Sequence, residues 1–137
     1  MESAKGAEYH SNLLSLNTGR NAFEHIILIN KYKKIYLPYY SCDVLLEPLK
    51  RNNIDYSYYH LNDQFEPAIW PSPDENEGVL YINYFGLKDG FIKEVCSKKK
   101  NIIIDNSQSF FSKPDSEMDT FYSARKFFGV PDGAYAY

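Results

Sequence analysis

The stretch NIIIDNSQSF (residues 101–110) places three consecutive isoleucines directly before an aspartate. A fully apolar run of this kind is typical of a strand that is buried on both faces, at the centre of a parallel sheet. A carboxylate at the end of such a strand is costly unless it caps a turn or meets a cation. The stretch therefore predicts a central strand, and it leaves two interpretations of Asp105: a turn residue, or part of a functional site.

Strand and helix patterns alternate on both sides of this stretch. Apolar periodicity predicts helices over residues 21–32, 42–53 and 88–100. Strand patterns cover residues 34–40, 54–61, 79–87 and 118–128, and a further strand begins in GAYAY (residues 133–137). This alternation predicts an α/β fold, with a mostly parallel sheet covered by helices on both faces. Ligands of such sheets bind beyond the carboxyl ends of the strands, so the residues that follow each apolar run are the candidates for function.

Composition excludes several classes of function. The chain has 137 residues, about one domain, and a net charge of −3, which argues against a nucleic-acid partner. Cys42 and Cys96 match no metal or redox spacing, and the three histidines are isolated, so no metal site is predicted. The first twenty residues lack an apolar signal region, and no stretch is long enough to span a membrane. These features predict a reduced, cytoplasmic protein without a membrane partner.

Three groups of polar residues follow apolar runs or precede a helix. The first is NTGRNAF (residues 17–23), where a helix N-terminus after Gly19 offers unpaired N–H groups that suit a phosphate. Taken alone, this group is more simply explained by Thr18 acting only as a helix cap. The second group is Asp105 with Gln108. The third is Ser123 with Lys126, whose aromatic flanks predict partial burial of the amine and hence a nucleophile toward carbonyl compounds.

The three groups together are a phosphate cradle, an acid and an amine at one edge of the sheet. Pyridoxal phosphate has a phosphate, a basic ring nitrogen and an aldehyde, and it satisfies all three. The order GRNAF, YLPYYSC, VLYINYFG, IIIDNSQSF and SARKFFGVPDG resembles the fold-type I pyridoxal-phosphate enzymes, most closely the DegT-type sugar aminotransferase family. The resemblance covers the chain from about residue 16 to the end. Its most specific parts are the strand-Asp-x-x-Gln and Ser-x-x-Lys segments in succession.

The resemblance implies roles for individual residues. Lys126 matches the lysine that forms the Schiff base (internal aldimine) with the cofactor aldehyde, and Asp105 matches the carboxylate that keeps the pyridine nitrogen protonated. Gln108 matches a residue that bonds near the phenolic oxygen, and Ser123 matches a phosphate ligand. Relatives stack an aromatic ring on the cofactor from the loop after Leu-Pro, where this chain has Tyr39, Tyr40 and Cys42; Tyr40 is the preferred candidate.

The phosphate loop of the resemblance falls on Gly19, Arg20 and Asn21. Relatives carry a hydroxyl residue after the glycine, whereas this chain has Arg20, whose guanidinium also suits a phosphate. The implied reaction is transamination from an amino acid, often glutamate, to a keto-sugar that is typically nucleotide-linked. The resemblance also implies a homodimer.

Family members continue well beyond the lysine. The resemblance therefore implies that residues 1–137 are a partial pyridoxal-phosphate-binding large domain of an aspartate-aminotransferase-like fold, truncated and without the C-terminal small domain. The alternative function is a truncated, non-catalytic homologue that serves as a cofactor-binding or dimerisation domain. Enzymatic activity is expected if the missing portion completes the pocket.

Two other classes of protein match parts of the pattern. Residues 123–126 satisfy S-x-x-K, the nucleophile signature of serine β-lactamases, but the S-D-N and K-T-G segments are absent. A dinucleotide-binding Rossmann module requires G-x-G-x-x-G after a strand, and the sequence has none. The pyridoxal-phosphate interpretation is the one that uses all three groups.

Overall fold

The computed structural model of the chain describes residues 9–10, 13–114 and 118–137. The described strands are β1 (Leu14–Leu16), β2 (Lys34–Pro38), β3 (Asp55–Tyr59), β4 (Glu77–Ile82), β5 (Ile102–Asp105), β6 (Asp119–Ser123) and β7 (Ala134–Ala136). The α-helices are α1 (Gly19–Ile29), α2 (Leu46–Arg51) and α3 (Asp89–Cys96). Three 3₁₀ turns cover Asp43–Leu45, Tyr84–Gly86 and Ala124–Lys126.

The strands form one sheet in the order β1-β7-β6-β5-β4-β2-β3. Pairing is parallel from β3 through β6, and β7 pairs antiparallel with both β6 and β1. The predicted fold class, α/β with a mostly parallel sheet, is confirmed. Strand β1 was not predicted, because its three residues are too few to show an alternation.

Alternate residues of the central strands pack against opposite layers. Leu80, Ile103 and Phe121 lie in the core beneath α1 and α2. Tyr81, Ile102 and Ile104 lie in the core beneath α3, together with its Ile92 and Val95. Strand β5 is buried along its whole length, which confirms its predicted central place.

The predicted boundaries shift where local bonding overrides periodicity. Helix α1 begins at Gly19 because Thr18 Oγ1 accepts a 3.2 Å hydrogen bond from the backbone N–H of Asn21. The strand predicted over residues 79–87 ends at Ile82. The strand predicted over residues 118–128 ends at Ser123. Each of these strands is followed by a 3₁₀ turn that carries its next residues to the carboxyl edge of the sheet.

No helix in the described part of the chain is both long and apolar enough to cross a membrane.

Candidate functional site

A cavity of about 610 Å³ opens at the carboxyl edge of the sheet. Its walls come from the N-terminus of α1 and from the residues that follow β2, β4, β5 and β6. It brings together seven of the eight predicted site residues: Gly19, Arg20, Tyr40, Asp105, Gln108, Ser123 and Lys126. The parallel topology explains this meeting, because the carboxyl ends of parallel strands lie on one edge of a sheet.

Asn21 is the predicted residue that does not line this cavity. Its backbone N–H donates to Thr18 Oγ1, and its side-chain amide donates to Oδ1 of Asn17. Both donors are therefore used in starting the helix. Thr18 caps α1 and also lines the cavity, so its two alternative roles are compatible.

Asp105 is a buried acid with its side chain at the cavity. It is 6% exposed, and burial raises the pKa of its carboxyl group, while the hydrogen bonds from Ser107 and the positive charge of Lys126 act in the opposite direction. The backbone N–H of Ser107 donates to its Oδ1 at 2.7 Å. None of the described ion pairs includes Asp105. The site thus holds an acid that a cationic ring nitrogen would stabilise.

Gly19 brings the start of α1 close to two buried hydroxyl residues. A Cβ atom on Gly19 would lie 3.5 Å from Ser107 Oγ and 3.6 Å from the Cβ atom of Ser123. The absence of a side chain therefore leaves a gap between the first turn of the helix and these serines. The positive end of the helix dipole and the two hydroxyls make this gap suitable for an anion.

Lys126 lies at the end of the 3₁₀ turn that follows β6, on the rim of the cavity. Its side chain is exposed, and the neighbouring Phe127 and Phe128 are 40% and 43% exposed. The partial burial expected from these flanks is therefore wrong for the chain as described. The rings of Phe127 and Phe128 contact those of Phe110 and Phe111.

Arg20 forms an ion pair with Glu47 of α2, so its guanidinium already has a protein partner at the cavity wall. Gln108 is held by a hydrogen bond of 3.1 Å from the backbone N–H of Phe85 to its Oε1. That bond leaves the NH₂ group of Gln108 as the donor available to a ligand. Tyr40 stacks on Tyr84, with ring centroids 5.8 Å apart.

A buried polar network behind the cavity was missed in the sequence. Asn83 is fully buried, and its Nδ2 donates to Asp89 Oδ1 at 2.7 Å and to Asn106 Oδ1 at 2.9 Å. Its backbone N–H donates to the carbonyl of Asp105 at 3.0 Å. The signal was present, because Asn83 directly follows β4 just as Asn106 directly follows the acid of β5. Residues that directly follow a strand are candidates for function, and this rule, which selected Asp105, also applies to Asn83 and Asn106.

Ser107 was also missed. Its N–H bonds the carboxylate two residues earlier, which is the spacing of an aspartate turn. Among the described residues, no group of three or more His, Cys, Asp or Glu side chains is placed to hold a metal ion.

Comparison with known proteins shows similarity at the level of structure. No protein-family model and no curated protein matches the sequence. Solved structures do match it. A phosphoserine aminotransferase from Cytophaga hutchinsonii superposes with a TM-score of 0.65 at 22% identity, over 93% of this chain and 40% of that one. A histidinol-phosphate aminotransferase from Clostridium acetobutylicum gives a TM-score of 0.64 at 20% identity, over 90% of this chain and 44% of that one.

A sugar aminotransferase from Micromonospora echinospora gives a TM-score of 0.64 at 9% identity, over 90% of this chain and 41% of that one. The chain therefore spans less than half the length of these structures. Identities this low establish the fold alone. The chain has the aspartate-aminotransferase-like fold.

Proposed function

We propose that the chain is a pyridoxal-phosphate-binding domain of an aminotransferase of the DegT type. The observation that carries this proposal is the meeting of three groups in one cavity: the amine of Lys126, the buried carboxylate of Asp105, and the gap between Gly19 and two serines. The amino donor is an amino acid, and the acceptor is a keto-sugar, typically nucleotide-linked. Several of the structural neighbours are named as aminotransferases, one of them a sugar aminotransferase, which supports this choice.

The residues present fit pyridoxal phosphate by their chemistry. Asp105 is buried without an ion-pair partner among the described residues, and burial raises the pKa of its carboxyl group, so a protonated ring nitrogen would offset the cost. Gly19, Ser107 and Ser123 surround space that a phosphate would fill. Gln108 offers its NH₂ group to a phenolic oxygen, and the exposed ring of Tyr40 offers a stacking face.

Each group has a distinct task. When bound, the cofactor supplies an electron-withdrawing ring that stabilises negative charge on the substrate carbon. Lys126 would bind the aldehyde and would move a proton to or from the substrate carbon as general base and acid. Asp105 would hold the proton on the ring nitrogen. The α1 N-terminus and the serines would orient the phosphate, and Arg20, which pairs with Glu47, lines the same cavity.

The test is the position of a covalent label. The full chain is incubated with pyridoxal phosphate and reduced with borohydride, and its peptides are analysed by mass spectrometry. The expected adduct is on Lys126, absent from Lys126→Ala and retained by Lys100→Ala, whose lysine lies at the opposite edge of the sheet. An adduct that survives Lys126→Ala, or that is spread evenly over surface lysines, refutes the proposal.

The non-catalytic alternative is favoured by one observation, the exposure of Lys126 at an open rim. In this alternative the chain retains cofactor binding, dimerisation or both, without turnover. Addition of glutamate distinguishes a catalytic chain from a non-catalytic one. A catalytic chain converts the bound cofactor to its amine form, which the visible spectrum reports, whereas a non-catalytic chain leaves the spectrum unchanged. Sedimentation of the same sample measures whether the chain is the expected homodimer.

A further inference from the structure

We propose that Glu47 sets the affinity of the cavity for a phosphate group, because it holds the guanidinium of Arg20 in an ion pair that a bound phosphate replaces. Arg20 is then a phosphate-binding residue that Glu47 keeps engaged while the cavity is empty. This inference rests on the proposed function for the identity of the ligand, and it adds a residue from outside the cavity that regulates the same site.

Arg20 belongs to the cavity by its position. It directly follows Gly19 in the first turn of α1, and it lines the cavity. The first turn of α1 contains no acidic residue. A cation at this end of a helix is unfavourable by itself, because it adds to the positive end of the helix dipole. An anion in the gap beside Gly19 would remove this cost.

Glu47 neutralises this cation from outside the cavity. Its Oε2 accepts a hydrogen bond from Nη1 of Arg20, and it does not line the cavity itself. Glu47 lies in the first turn of α2, where the helix dipole favours a negative charge whether or not Arg20 is present. The carboxylate of Glu47 therefore keeps a favourable place when the guanidinium leaves it.

The ion pair between Arg20 and Glu47 is weak enough to be exchanged. Its two side chains are 35% and 55% exposed, and exposed ion pairs contribute little to stability because water competes for both charges. A phosphate carries more negative charge than a carboxylate and accepts two parallel hydrogen bonds from a guanidinium. The phosphate is therefore the stronger partner, and the cost of recruiting Arg20 is the loss of one exposed pair.

A second ion pair joins the same two helices in the reverse sense. Arg51 of α2 donates to Glu24 of α1, with 3.0 Å from Nε to Oε1 and 2.5 Å from Nη2 to Oε2. Nδ2 of Asn52 also donates to Oε1 of Glu24, at 2.7 Å. Neither Glu24 nor Arg51 lines the cavity. These bonds hold α1 against α2 independently of the site, so the helices stay joined when Arg20 leaves Glu47.

The other charges of the cavity leave this role to Arg20. Within the described part of the chain, the charged side chains that line the cavity are those of Arg20, Asp105, Arg125 and Lys126. In the proposed function Lys126 reacts with the aldehyde and Asp105 pairs with the ring nitrogen. Arg20 belongs to the helix whose N-terminus borders the gap, whereas Arg125 lies in the turn after β6. Glu47 thus controls the guanidinium of the helix that borders the gap.

The test removes the two glutamates separately. The full chain and its Glu47→Gln and Glu24→Gln variants are titrated by calorimetry, at neutral pH, with inorganic phosphate and with pyridoxal phosphate. Each substitution removes one negative charge and one ion pair between α1 and α2, but only Glu47→Gln frees a guanidinium that lines the cavity. Pyridoxal, which lacks the phosphate, is the probe for the ring and the aldehyde alone.

Glu47→Gln is expected to bind inorganic phosphate and pyridoxal phosphate roughly twofold to fivefold more tightly than the original chain, the gain that corresponds to releasing an exposed ion pair. Its affinity for pyridoxal stays unchanged, and Glu24→Gln leaves the affinities for all three probes unchanged. Damage to the fold would lower these affinities, so a gain reports on the site itself. Glu47→Ala, which removes the acceptor altogether, repeats the measurement if the glutamine variant does not fold.

Arg20→Gln distinguishes the release of Arg20 from a general effect of charge. This variant is expected to bind inorganic phosphate about fivefold or more weakly than the original chain, because a charged donor is lost. Adding Glu47→Gln to it gives no further change, since no guanidinium remains to be released. A gain that persists without Arg20 would mean that Glu47 acts only through its negative charge.

Four results overturn the inference: Glu47→Gln does not tighten phosphate binding, Glu24→Gln tightens it equally, pyridoxal gains as much as pyridoxal phosphate, or the gain persists in the Arg20→Gln background. The borohydride adduct on Lys126 is measured in the same samples. An adduct together with an unchanged phosphate affinity in Glu47→Gln refutes the role of Glu47 and leaves the cofactor assignment intact. A gain in affinity for inorganic phosphate without any adduct supports the role of Glu47 and refutes the cofactor assignment.

Discussion

The backbone N–H of Ser107 donates a hydrogen bond of 2.7 Å to Oδ1 of Asp105, and both residues are buried at the end of the central strand. This bond holds the carboxylate in one orientation and places the Ser107 hydroxyl close to the start of α1. One turn therefore positions the acid together with one of the serines that border the gap at the start of α1. Substitutions at either residue are expected to affect folding stability and ligand binding differently.

Asp105→Asn is expected to stabilise the unliganded chain at neutral pH. Burial raises the pKa of Asp105, so the folded chain binds this proton more tightly than the unfolded chain, and the ionised carboxylate destabilises the fold. The penalty is absent below the ordinary pKa of about 3.9 and is complete above the raised pKa of the folded state. The gain in melting temperature is therefore present at pH 7 and disappears as the pH falls toward 4. A gain that grows in acid would contradict this sign.

The same variant is expected to weaken pyridoxal-phosphate binding about tenfold or more, because it removes the charge that pairs with the ring nitrogen. Asp119→Asn is the matched control. Burial also raises the pKa of Asp119, but this residue begins β6 at the opposite edge of the sheet. Absorbance titration of both variants measures the effect. Equal losses of affinity would show that Asp105 has no special place in the site.

Gly19→Ala is expected to keep the fold and to weaken binding of inorganic phosphate and of the cofactor. The added Cβ makes ordinary contacts of 3.5 and 3.6 Å, so the free energy of unfolding changes by less than about 1 kcal/mol, but the methyl group occupies the anion gap. Gly90→Ala in α3 has nothing within 4 Å of its new Cβ atom and tests the general effect of alanine in a helix. Calorimetry with inorganic phosphate should show a loss of affinity for Gly19→Ala and none for Gly90→Ala.

Asn83→Ala is expected to lower the free energy of unfolding by about 2 kcal/mol or more. It removes the acceptor of the Lys88 N–H and a donor to Asp89 and Asn106, and each buried polar group left without a partner costs about 1–3 kcal/mol. Asn62→Ala removes an exposed amide oxygen that accepts two backbone N–H bonds, and water replaces it, so its cost stays below about 1 kcal/mol. Urea unfolding of both variants checks the difference.

Thr18→Ala is expected to lower the free energy of unfolding by about 1 kcal/mol, because the side-chain oxygen that accepts the N–H of Asn21 is lost. Thr18→Ser keeps that oxygen and should retain most of the stability. An equal loss in both variants would mean that the threonine methyl group, and not the cap, stabilises α1. Thermal unfolding followed by circular dichroism measures the two changes.

The fold and the edge that carries the site were predictable because each depends on short runs of consecutive residues. The isoleucines of β5 predicted a central strand, and the rule for carboxyl ends then selected Asp105, Gln108 and Ser123. The exposure of Lys126 was not predictable, because it depends on the 3₁₀ turn after β6. The engagement of Arg20 depends on Glu47, which is distant in the sequence but lies opposite it on α2.

The amino-acid sequence by itself determined the alternation of strands and helices, the central place of β5 and the chemical types of the groups at the carboxyl edge, since periodicity and residue type are local properties. Tertiary structure alone decided which of those groups share a cavity and which side chains already have a protein partner. The physical reason is that exposure and ion pairing depend on residues that are distant in the chain and adjacent only after folding.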